Sequence, residues 1–126
     1  MSKKQKELYL GPGAGKAQRE YTLAAIHERF KTAMEEAHDA PLGGELLVEA
    51  LDVALMLLRK NRAYGNSALE PVRVFSKASP IEQILVRLDD KLSRLSRGSG
   101  PEMEDVEQDI LGYLVLLRIA RRSEPK

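Results

Sequence analysis

The 126-residue sequence predicts an all-α fold, a four-helix bundle, and three observations carry that reading. Apolar residues recur every three to four positions in four stretches, the period of a helix with a buried face. Proline and glycine clusters separate those stretches. Two of the stretches open on Ser-x-x-Glu or Pro-Glu codes that start helices.

The length fits a single helical domain over residues 17–126 that needs no metal or disulfide to hold its core. Residues 1–16, lysine-rich and then glycine-rich, read as a flexible arm. Gly11 to Lys16 (GPGAGK) spaces its glycines too closely for a phosphate loop, and Ala17 replaces the Ser or Thr that would hold magnesium.

The first helix is expected over 18–38, with Leu23, Ile26, Phe30, Ala33 and Ala37 on one region of its surface. Ala40-Pro41-Leu42-Gly43-Gly44 ends it. The second is expected over 44–62. Its apolar residues cover most of the circumference, so it should be nearly buried or should turn half of itself to another subunit. Glu45, Glu49 and Asp52 form its one acidic strip, at i, i+4 and i+7. An ordered loop is expected over 63–79, anchored by Tyr64, Leu69, Val72, Val74 and Phe75. The third helix, 80–97, starts at Ser79-Pro80-Ile81-Glu82 and carries Ile81, Ile84, Leu85, Leu88, Leu92 and Leu95 on one stripe. The fourth, 101–122, has the stripe Val106, Ile110, Tyr113, Leu117 and Ala120. Leu111, Val115 and Ile119 make its other face apolar too, so at least a dimer is expected.

Composition narrows the function classes. The 20 basic and 19 acidic residues leave a net charge of +1, which disfavours generic nucleic-acid binding. The absence of cysteine excludes thiol catalysis and thiolate metal sites. No N-terminal apolar segment is present and the longest apolar runs are too short to span a bilayer, so a cytoplasmic protein without membrane contact is expected. The two histidines, His27 and His38, supply too few ligands for a zinc site.

The acids are the candidate chemistry. Asp109 lies close to the apolar stripe of the fourth helix, where an acid must be paired, hydrogen-bonded or metal-bound. Asp105 lies one turn before it. Asp89, on the third helix, also flanks a core stripe, and with Glu49 and Asp52 these acids are candidate ligands for Mg²⁺ or Mn²⁺, which take hard oxygen donors. The competing expectation is an inter-helix ion pair, Lys91 or Arg87 to Asp105 or Asp109. The strip Glu45, Glu49, Asp52 can equally be a solvated face.

Three segments, in order, carry a family resemblance: Lys60-Asn61-Arg62-Ala63-Tyr64-Gly65-Asn66-Ser67, Arg87 to Leu95 (RLDDKLSRL), and Asp109-Ile110-Leu111-Gly112-Tyr113-Leu114. Over residues 60–115 the chain resembles the nucleotide modification associated domain 1 proteins of phages and bacteria. That family is similar in layout to the MazG-type all-α nucleoside triphosphate pyrophosphatases, which hold magnesium on ExxE and ExxD pairs. Here Val106 stands where the Glu of ExxD would be, and the third helix carries no ExxE. The resemblance implies a nucleotide-handling protein, with hydrolysis of a nucleoside triphosphate to monophosphate and pyrophosphate as its fullest form. Asp89, Asp105 and Asp109, helped by Glu49 and Asp52, would then hold the metal. Lys60, Arg87 and Lys91 would neutralise phosphate, Tyr64 would stack on a base or close the site, and Asn66 would give hydrogen bonds. No residue stands out as a general base. The alternatives are a non-catalytic nucleotide-binding module and a helical phage or host interaction protein without a ligand.

Overall fold

The structure, a computed structural model, describes residues 21–70, 76–98 and 105–122. The 1–16 arm, the GPGAGK segment and the start code at 99–102 lie outside those residues, as do residues 71–75 of the expected loop. The chain is all-α. Its helices are α1 (Leu23–Asp39), α2 (Gly43–Tyr64), α3 (Pro80–Arg97) and α4 (Val106–Arg122). No strand occurs among the described residues, and no helix there is long and apolar enough to cross a membrane. Contacts group the chain into two compact units, Met1–Glu49 and Ala50–Lys126.

In the first unit α1 begins where the Thr22 hydroxyl accepts a hydrogen bond from the Ala25 amide at 3.2 Å, satisfying one of the free donors of a helix start. After Asp39 the chain turns sharply: Ala40 N–H donates to the Glu36 carbonyl and Gly43 N–H to the Ala40 carbonyl. The turn needs glycine at 43 for lack of space, because a Cβ there would collide with the Ala37 carbonyl. No residue of α1 is buried.

The second unit holds the core. Ser79 caps α3, its hydroxyl accepting from the Glu82 amide at 3.1 Å, and Pro80 fills the first helical position. Gly98 closes α3 in the left-handed conformation, its N–H donating to the Arg94 and Leu95 carbonyls. α4 starts later than expected, at Val106, because the Asp105 carboxylate accepts from the Gln108 amide at 2.8 Å and acts as the cap. Ile84 and Leu88 of α3 meet Leu117 and Ala120 of α4, with Ile81, Leu85, Ile110, Tyr113 and Leu116 packed around them. Each large side chain so buried contributes about 1.5–3 kcal/mol.

One expectation about burial is corrected, and of the two alternatives for α2 the first is set aside. Leu92 and Leu95, at the far end of the α3 stripe, are about half exposed. α2 is not nearly buried: of its apolar residues only Val53 falls in the core, while Leu51, Leu55 and Leu58 stay exposed. The α2 wheel is apolar over most of its circumference, but the pair α3 and α4 covers only one side of its C-terminal half. That contact is close. A Cβ on Gly112 of α4 would lie 2.9 Å from Met56 Cε and 3.2 Å from a Leu57 methyl, so glycine lets α4 approach α2.

Candidate functional site: a cleft rimmed by cations

Between the C-terminal half of α2 and the α3–α4 pair lies a cleft of about 1030 Å³. Its volume is at the upper end of those that hold small molecules. Val53, Leu57, Leu116 and Ile119 give it apolar walls, and Lys60, Asn61, Tyr64, Asn66, Arg87 and Asp109 supply its polar groups.

Asp109 is the electrostatic centre. Lys91 of α3 places its Nζ 3.1 Å from one carboxylate oxygen, and Lys60 of α2 places its Nζ 3.5 Å from the other. The side chains of Lys91 and Asp109 are only 15% and 18% exposed, whereas that of Lys60 is 57% exposed. The inner pair therefore works in a poorly screened setting, and the outer lysine remains within reach of a second anion. Asp109 sits at the start of α4, where the helix dipole also favours a negative charge. Two cations face this carboxylate, and Arg87 adds a further positive charge to the lining of the cleft.

The segment KNRAYG has a visible structural role. Gly65 adopts φ 65°, the left-handed conformation that ends α2. The Asn61 side-chain amide donates to the Gly65 carbonyl at 3.1 Å and pins that reversal from one turn back. Leu69 and Glu70 N–H both donate to the Asn66 carbonyl, which coils 65–70 into a compact turn over the cleft mouth. Tyr64 is 73% exposed at this rim, an aromatic face at the end of α2 open to a planar ligand.

Of the ten residues singled out from the sequence, five line the cleft: Lys60, Tyr64, Asn66, Arg87 and Asp109. Lys91 joins them through Asp109. The ion pair anticipated between Lys91 and Asp109 is present. The other four acids are not gathered there. Glu49, Asp52, Asp89 and Asp105 are exposed, and Asp105 is occupied in capping α4. Among the described residues no three acidic or histidine side chains converge as metal ligands. Both Asp109 oxygens face ammonium groups, which a divalent cation would have to displace, so the donor set that the described residues provide does not, as arranged, fit a metal. Asp90 pairs with Arg94 one turn on along the outer face of α3.

Three participants escaped the sequence reading: the Asn61 tether, Gln83 on the cleft wall, and the link from Lys60 to Asp109. Asn61 lay inside a motif already noticed. No local signal joins Lys60 to an acid 49 residues away. The chain matches no protein-family model, no curated protein and no solved structure.

Proposed function

We propose that the protein is a nucleotide-binding module, whose cleft takes a phosphorylated ligand without metal-assisted turnover. One observation carries the reading: among the described residues that line a roomy, apolar-walled cleft, the cations Lys60 and Arg87 outnumber the one carboxylate, Asp109. Anionic oxygens of a ligand find charge-assisted donors at such a rim. The base or another planar group enters against the apolar wall and the exposed face of Tyr64. The resemblance over residues 60–115 supports the nucleotide as the ligand class. The dispersal of the acids among the described residues favours binding over hydrolysis.

The test is calorimetric titration of the protein with ribo- and deoxynucleoside triphosphates and with pyrophosphate, with and without Mg²⁺ or Mn²⁺, while chromatography follows the products. Saturable binding without product is expected. It should weaken about tenfold in Lys60→Ala, the loss of one charge-assisted contact. Tyr64→Ala should weaken triphosphate binding and spare pyrophosphate. Absence of binding across the panel would refute the proposal. Release of monophosphate and pyrophosphate would replace it with the metal-dependent pyrophosphohydrolase reading.

A further inference from the structure

We infer that α2 is the self-association element of this protein, pairing antiparallel with α2 of a second copy about a two-fold axis. Leu51, Leu55 and Leu58 are 36%, 44% and 66% exposed. Their spacing of four and three residues continues back to Val48, which is 57% exposed. Because all four lie on one continuous helix, helical geometry alone aligns them into a single stripe. A three-four-three repeat of exposed aliphatics is the seam that two helices close by interlocking side chains. The opposite side of α2, through Val53, Leu57 and Lys60, is already taken up by the cleft. Among the described residues of the second unit, Leu51 and Leu55 therefore lie outside the cleft, and Leu58 stands at its edge.

Charge settles the occupant and its direction. One edge of the stripe carries Glu45, Asp52 and Arg59, each seven residues from the next and each exposed. Antiparallel pairing that stacks Val48 on the partner's Leu58, and Leu51 on the partner's Leu55, brings Glu45 beside the partner's Arg59. Two-fold symmetry makes that contact twice. A parallel pair would set this edge against Leu47 and Ala54 and form neither ion pair. The helix dipoles also oppose each other only in the antiparallel arrangement. The same geometry has one unfavourable consequence: Asp52 meets its own copy at the axis.

Sedimentation equilibrium on the full chain tests this. The parent should be a dimer at micromolar concentration, and Leu55→Glu should weaken association about a hundredfold with unchanged helical circular dichroism. Asp52→Asn should tighten the dimer roughly threefold by removing like-charge repulsion. Glu45→Arg and Arg59→Glu should each weaken it, and the double reversal should restore it. As the chain has no cysteine, oxidation reads the direction: a mixture of Leu51→Cys and Leu55→Cys chains should cross-link more readily than either alone. A monomeric parent, a dimer indifferent to Leu55→Glu, or Asp52→Asn weakening the dimer would overturn the inference. So would self-cross-linking of Leu51→Cys equal to that of the mixture.

Discussion

Replacing Asp109 by Asn tests the ionic centre and the ligand proposal together. Asparagine keeps the size of the side chain and removes its charge. The inner partner, Lys91 at 3.1 Å, is largely shielded from solvent, and losing a charge-assisted bond in such a place costs about 1.5–3 kcal/mol. The outer partner, Lys60 at 3.5 Å, is more than half exposed and adds only about 0.5 kcal/mol after screening. The expected loss is therefore about 2–3 kcal/mol, or roughly 8–12 °C in Tm for a chain of this size. Urea unfolding followed by circular dichroism measures it. If the two units melt separately, the loss belongs to the transition of residues 50–126, which contain all three charges. Lys60→Met should lose less than about 1 kcal/mol, and a double-mutant cycle between Lys91→Met and Asp109→Asn should show a coupling of about 1–3 kcal/mol. Ligand affinity should move the other way from stability. With one negative charge gone from the rim, triphosphate should bind about threefold to tenfold more tightly. A stability loss under about 0.5 kcal/mol would refute the inner ion pair. Weaker triphosphate binding would mean that Asp109 contacts the ligand or its cation directly, against the anion-site reasoning.

Further outcomes follow from the packing. Gly43→Ala should destabilise the first unit by about 3 kcal/mol or more, since the new Cβ meets backbone at Ala37; thermal unfolding read by circular dichroism measures this. At Gly112 the obstacles are the flexible ends of Met56 and Leu57. Ala there should be near neutral, its helix preference of about 1 kcal/mol offsetting the crowding, whereas Gly112→Leu should cost about 2 kcal/mol and weaken triphosphate titration by narrowing the cleft. Ser79→Ala removes the α3 cap and should cost about 1 kcal/mol in urea unfolding. Ile84→Ala, at the most buried position of the core, should cost about 2–5 kcal/mol in the same measurement.

What the sequence determined by itself is local. Helix α3 is found at its expected bounds, because Ser79, Pro80 and Gly98 encode both ends within a few residues. The all-α class follows from apolar periodicity, and the end of α2 from the helix break at Gly65. Even the start of α4 was misplaced only because a second capping residue, Asp105, stood a turn further on.

The site was legible in part. Asp109 was conspicuous as an acid beside an apolar stripe, and the α3–α4 hairpin made Lys91 a reasonable partner. Tertiary structure decided the rest. Helical periodicity fixes which residues share a face, but not which face a distant helix will cover. It thus took the approach of α2 over Gly112 to bring Lys60 to Asp109. The same approach turned Val53 and Leu57 inward, put Leu58 at the cleft edge and left Leu51 and Leu55 facing out, although all five are equally apolar. The acids on α2 and α3 were spread by the same choice. A side chain's charge is written in the sequence; the charges it will meet depend on which helices pack together.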